Sequence, residues 1–255
     1  MPKNEDSILT RLIACDVLLT YPEQNLAACL AELSRLKIST AIVRNRDCLE
    51  TAPEFHNQRL LLAAAGEKSI IPALFVSPDG VAPEYDVAEY LRAHVTTGVR
   101  LAWTATVLKP YLLENPFCSC FAAKMFAALS QHRLPLLLTW PEISFKALHE
   151  VMREFPELRV ILTGLTRLGR QPALETLLEL HPELYICFSP LFSVHGGYAS
   201  LCRRFGAQRF VWGSGYPEAE GGAALTGLLY AGLEQSDLEQ VAYQNIERLL
   251  TEVRL

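Results

Sequence analysis

No cluster of lysine or arginine occurs anywhere in the 255 residues, and the net charge is -5. Such a surface carries no electrostatic footprint for nucleic acid or for an anionic membrane, so neither partner is expected. No uninterrupted apolar run approaches the ~20 residues that cross a bilayer, and the polar, acidic start Met-Pro-Lys-Asn-Glu-Asp-Ser is unlike a basic secretion leader. The sequence therefore reads as a soluble cytoplasmic protein. A disulfide framework is also missing: the seven cysteines, Cys15, Cys29, Cys48, Cys118, Cys120, Cys187 and Cys202, are odd in number and scattered. They suit reduced, mostly buried thiols. No linker-like or low-complexity stretch divides the chain, which favours one domain spanning residues 1–255.

Half of the residues are apolar, and they fall into a rhythm. Eight short runs, 12–19, 40–43, 69–76, 99–103, 135–139, 159–162, 184–188 and 210–212, read as strands. Nearly all are continuously apolar rather than alternating, as in parallel strands covered by helices. Between them lie segments of helical periodicity, 25–36, 53–65, 84–94, 115–132, 144–155, 172–181 and 197–205, and helices over 222–233 and 236–251 close the chain. In Phe145, Leu148, Met152 and Phe155 the apolar positions recur at three and four, making one stripe to lay on a sheet. Phe155-Pro156-Glu157-Leu158 and His181-Pro182-Glu183-Leu184 each end a helix and open a strand, because proline cannot continue a helix. Eight strand–helix pairs predict an α/β fold, a (β/α)₈ TIM barrel, with a doubly wound open sheet as the alternative.

Near the C-terminus stand Trp212-Gly213-Ser214-Gly215-Tyr216-Pro217 and Asn245-Ile246-Glu247-Arg248-Leu249-Leu250. They resemble the Phe-Gly-Ser-Asp-x-Pro turn and Asn-x-x-Arg-Leu helix of the amidohydrolase-related barrels, a branch of metal-dependent hydrolases and decarboxylases. A fainter likeness runs through 155–160 and 184–189. The resemblance implies structural roles for Arg209 and Asn245, and association in pairs, for which the apolar helix 223–233 is the one hint of a contact surface. It also implies a divalent metal held by a His-x-His pair after strand one, a His after strand five, another after strand six and the Asp of strand eight. The matching positions here are Leu18 and Thr20, near Thr139, near Gly164, and Gly215. None of the six histidines falls in strands one, five, six or eight, so neither a metal nor another cofactor is expected. Asp16, alone in the first strand, suits hydrogen bonds to nearby backbone N–H groups better than an ion, and Cys118-Ser119-Cys120 lacks the second pair a zinc site needs.

In such a barrel the functional groups gather at the C-terminal ends of the strands. His195, in the loop after the seventh strand, is the expected acid/base, or else a helix-capping histidine. Arg100, in strand four, is the expected partner for an anion, or else half of an internal salt bridge with Asp16 or Glu142. Arg44, Asn45, Thr139, Glu142, Ser214 and Tyr216 are the expected substrate contacts. The reading that follows is a metal-independent hydrolase or lyase acting on a small carboxylate-bearing metabolite. The alternatives are a ligand-binding barrel without catalysis, and a metal enzyme with unfamiliar ligands.

Overall fold

The computed structural model describes residues 8, 10–50, 52–77, 86–105, 117, 119–166 and 171–255. Nine parallel strand segments follow in order: β1 (Ile13–Leu19), β2 (Thr40–Asn45), β3 (Ile70–Pro72), β4 (Leu74–Phe75), β5 (Ala102–Trp103), β6 (Leu136–Thr139), β7 (Val160–Thr163), β8 (Leu184–Phe188) and β9 (Phe210–Trp212). Segments β3 and β4 are two halves of one barrel strand broken at Ala73. The first half pairs with β2 and the second with β5, and Ala73 itself donates to Val43 O at 2.9 Å. Each strand is thus bonded to its sequence neighbour from β1 round to β9, and helices alternate with strands outside. The eight strands expected from the sequence are all present, and the architecture is that of a (β/α)₈ barrel.

The last join of the ring is different in kind. No ladder links β9 to β1; instead Leu18 N–H donates to Tyr216 O at 3.1 Å, and Gly215 N–H donates to the Asp16 carboxylate at 2.9 Å. One backbone bond and one side-chain bond span this join in place of a ladder.

Strands β6, β7 and β8 are buried almost throughout, which explains their continuous apolar reading. The helices end where local chemistry says they should. Ser144 caps Phe145–Glu154 by accepting from Ala147 N, and Asp86 caps Val87–Thr96 by accepting from Ala88 N and Glu89 N. Helix Phe145–Glu154 buries Leu148, Val151 and Met152 on one side. The first two expected positions of helix 115–132, and Glu84, lie outside the described residues. The last helix, expected as continuous over 236–251, is interrupted by a π-helical turn at Gln240–Gln244 that buries Val241, Ala242 and Tyr243. No helix among the described residues is long and apolar enough to cross a membrane.

Two polar residues lock this frame. Asn245, 3% exposed, donates its amide to Ala207 O at 2.8 Å and Phe210 O at 2.7 Å, tying the final helix to the start of β9. Arg209 donates to the carbonyls of His181 and Leu184, which fastens the turn into β8. Asn245→Leu strands both carbonyls in the core, so we expect a loss of about 2–4 kcal/mol of unfolding free energy in urea titrations. A loss below 1 kcal/mol would mean that water replaces the amide.

Candidate functional site

A register shift in β1 sets the site. Ala14 pairs with Ala41 but Val17 pairs with Val43, so β1 carries one residue more than its partner between those pairs. Such a bulge re-aims side chains at a barrel rim. Here it lets two consecutive residues serve the barrel. The Cys15 thiol meets the Cys187 thiol of β8, sulfur to sulfur at 3.3 Å, and the Asp16 carboxylate reaches the Gly215 N–H at the seam.

Above this layer lies a cavity of about 240 Å³ at the C-terminal ends of the strands. Asp16 and Leu18 enter it from β1, Arg44 from β2, Trp103 from β5, Thr139 from β6 and Thr163 from β7. The loops add Glu142 after β6, Ser189 after β8, and Tyr216 after β9. Thr139 and Thr163 sit opposite each other in the β6–β7 register, with their hydroxyls 3.2 Å apart. At the rim Arg46 pairs with Glu218 at 3.0 Å, an exposed contact of small energetic weight.

Arg44 is the centre of the arrangement. It is 5% exposed, donates through Nη1 to Thr139 Oγ1 at 2.8 Å and through Nη2 to Asp16 O at 2.9 Å, and leaves its Nε–H unpartnered among the described residues. Both acceptors are neutral oxygens. Burial pulls the guanidinium below its ordinary value, and the nearby Asp16 charge only partly opposes that; arginine nevertheless stays protonated in proteins. Asp16 is pushed up by burial, against the pull of the Gly215 N–H and of Arg44. Glu142, with one carboxylate oxygen buried and unpartnered, is pushed up to about 7 by burial, with Arg44 opposing. The mouth thus holds a fixed cation beside a carboxyl group that exchanges its proton near neutral pH.

Four of the sequence-expected residues, Arg44, Thr139, Glu142 and Tyr216, come together in this cavity. The other four do not join it. His195 is exposed, and its loop, which turns into the mouth at Ser189–Leu191, has turned out again by Ser193; the His195 N–H donates to Gln171 Oε1 at 2.9 Å. Arg100 precedes β5, at the strand end away from the mouth, and donates to Val95 O and Val99 O at 2.9 Å each. It forms neither of the salt bridges considered for it. Asn45 is fully buried, donating to His56 O and accepting from Asp47 N, and so shapes the turn after β2. Ser214 is buried and accepts from Tyr216 N, which shapes the turn after β9. Sequence reasoning left out Thr163 and Trp103, while Asp16 has the backbone hydrogen-bonding role expected of it and lines the cavity as well. An aromatic residue at a strand's C-terminal end was the available signal for Trp103.

The barrel type implies a divalent metal at this mouth. Leu18, Thr139, Gly164 and Gly215 all line the cavity, at the positions where ligands are expected. Leucine and glycine side chains have no lone pairs, and a single threonine hydroxyl holds a divalent ion poorly. Gly215 has φ +70°, and a Cβ there would lie 3.0 Å from Ala219 Cβ and from Pro190. Among the described residues no group of three His, Cys, Asp or Glu is spaced to hold an ion. Among the described residues, the side chains at these positions do not fit a divalent metal. Cys118 lies outside the described residues.

A family model described as Amidohydrolase matches residues 21–251. Among solved structures, an uncharacterized TIM-barrel protein from Bordetella bronchiseptica superposes with a TM-score of 0.68 at 16% identity, over 90% of this chain and 84% of that one. The 5-carboxyvanillate decarboxylase of Sphingomonas paucimobilis gives 0.69 at 12% identity, over 94% and 99%. The 2,6-dihydroxybenzoate decarboxylase from Rhizobium gives 0.66 at 13%, over 94% and 98%. No curated protein matches by sequence. At these identities the structural likeness speaks for the fold alone, while the family model spans nearly the whole chain: it belongs to the amidohydrolase family.

Proposed function

We propose that the protein is a metal-independent hydrolase or lyase acting on a small carboxylate-bearing compound. The observation that carries this reading is Arg44: a buried guanidinium lining the cavity, whose hydrogen bonds go only to neutral oxygens and whose Nε–H is unmet among the described residues. A desolvated cation without an anionic contact is costly, and a ligand carboxylate is the natural partner for its planar fork. The two decarboxylases of the same fold, named for 5-carboxyvanillate and 2,6-dihydroxybenzoate, act on compounds of that class.

Glu142 takes the role first assigned to His195. Poised near pH 7 and unpartnered at one oxygen, it can give a proton to the bound compound or take one from it, a contribution of ~10²–10⁴-fold. That range is modest beside what a metal-activated water supplies, so the reading favours proton transfer, decarboxylation or hydrolysis of an activated substrate over cleavage of an ordinary amide. Substrate release is aided by the rim, where the exposed Arg46–Glu218 pair can open at little cost.

The test is a screen of small aromatic and aliphatic carboxylates for thermal stabilisation, followed by turnover assays in the presence of chelator. The expected result is stabilisation that Arg44→Met abolishes, with turnover that survives chelator and falls ~10²-fold or more in Glu142→Gln while binding persists. Turnover that needs added manganese or zinc overturns the metal-independent part. Binding without turnover leaves a ligand-binding barrel. Carboxylate binding that ignores Arg44→Met sinks the assignment of the anion site.

A further inference from the structure

The molecule holds two deeply buried tryptophans whose indole N–H groups have different fates. Trp212, in β9, donates its Nε1–H to Ala224 O at 3.2 Å. Trp103, 2% exposed at the end of β5, donates to nothing among the described residues. An unmet buried donor costs about 1–3 kcal/mol, and the two sites differ in one respect: Trp103 forms part of the cavity wall.

Its surroundings fix its place. The ring meets Phe75 edge to face, with centroids 4.8 Å apart and an interplanar angle of 71°, and the strand pairs it with Phe75 on one side and Leu137 on the other. The Arg44 guanidinium carbon stands 5.7 Å from the ring centroid. The second unmet donor of the wall, Arg44 Nε–H, therefore lies in the same sector. Two unmet N–H groups, one charged and one neutral, thus belong to neighbouring side chains that line one cavity.

We propose that Trp103 is a ligand-reading residue, its indole N–H and the Arg44 Nε–H together holding the two oxygens of one ligand carboxylate. This rests on the reading of Arg44 as the anion site and adds a second donor to it. A carboxylate offers two coplanar acceptors a little over ~2 Å apart, which suits two converging N–H donors better than it suits a single ammonium point charge. Because an indole donates and never accepts, the pair selects an ionised carboxylate over its amide or alcohol analogue: an amide would turn an NH₂ toward one of the two donors. Once both are engaged, the ligand's remaining groups lie in the cavity that Glu142 and Thr163 also line.

Formate, the smallest carboxylate, tests this without requiring any fit to an unknown substrate. The Trp103 indole N–H resonance of ¹⁵N-labelled protein is assigned by its absence in Trp103→Phe, and formate is titrated against chloride at constant ionic strength. We expect saturable shifts of both the indole and the Arg44 Nε–H resonances, an unmoved Trp212 indole, and formate binding ~5–10-fold weaker in Trp103→Phe. If the Arg44 resonance saturates while the Trp103 indole stays still, the anion site stands and the second donor falls. If neither moves, both readings fail. Trp103→Phe keeps a ring against Phe75; should it misfold, the wild-type titration alone decides, with the three indoles told apart by Trp140→Phe and Trp212→Phe.

Discussion

Gly213→Ala will lower the unfolding free energy by roughly 3–4 kcal/mol, a large effect for a single methyl group. A Cβ at this position would lie 2.3 Å from both Cγ and Oδ2 of Asp16 and 2.6 Å from Cys187 Sγ. None of these atoms can step aside. Asp16 is held by the Gly215 N–H, and Cys187 rests against Cys15 at 3.3 Å. Relief requires the carboxylate to leave the seam, which leaves Gly215 N–H without its acceptor and removes one of the two bonds that close the ring. Gly227→Ala is the matched control, because a Cβ there meets nothing within 4 Å on an exposed helix position, and should stabilise by up to about 1 kcal/mol. Urea unfolding of both variants checks the pair. A Gly213→Ala loss below 1 kcal/mol would mean that the layer beneath the cavity is looser than its distances indicate.

Glu142→Gln should do the reverse, stabilising the protein while removing its proposed chemistry. The free-energy argument follows the proton. The folded protein holds this carboxyl protonated up to about pH 7, whereas the unfolded chain releases the proton near the ordinary value of 4.5. Between those values the folded state binds a proton that the unfolded state lacks, so stability falls as pH rises through that window and the loss is complete above it. Glutamine carries no titrating proton and escapes the loss. The full interval corresponds to about 3 kcal/mol, and screening by solvent at the mouth reduces it to about 2 kcal/mol. The stability difference between Glu142→Gln and wild type should therefore be near zero at pH 4.5 and about 2 kcal/mol in the variant's favour at pH 8. An equal difference at both pH values would rule out Glu142 as the titrating group.

Much of this was legible in the sequence, for identifiable reasons. The eight strands showed themselves because parallel barrel strands are apolar on both faces, and the Pro-Glu-Leu punctuation at 156–158 and 182–184 marked two of their starts. Arg44, Thr139, Glu142 and Tyr216 were found because the end of a strand is a position that can be counted along the chain. His195 and Arg100 were misplaced by the same counting. A loop can bend into the mouth and out again within seven residues, as Ser189 to His195 does, and an arginine at the start of a strand points to the wrong end of the barrel. The bulge in β1 left no mark in composition, since it is a property of pairing between strands. The unmet indole of Trp103 is likewise invisible before the walls of the cavity are in place, because hydrogen-bond satisfaction belongs to three dimensions.

The seam described between β9 and β1 joins Leu18 to Tyr216, residues from nearly opposite ends of the sequence. Among the ring's joins it bridges the longest stretch of chain and offers the fewest backbone bonds in return, so the entropy of bringing its ends together is set against little gain until everything else is in place. Assembly should proceed as an open curved sheet that shuts there last. Until it shuts, Asp16 and Arg44 stand together on one edge and Tyr216 on the other, so the cavity wall is incomplete. A compound that touched both Arg44 and Tyr216 in the cavity they share would act as a clasp, drawing the two ends of the polypeptide together.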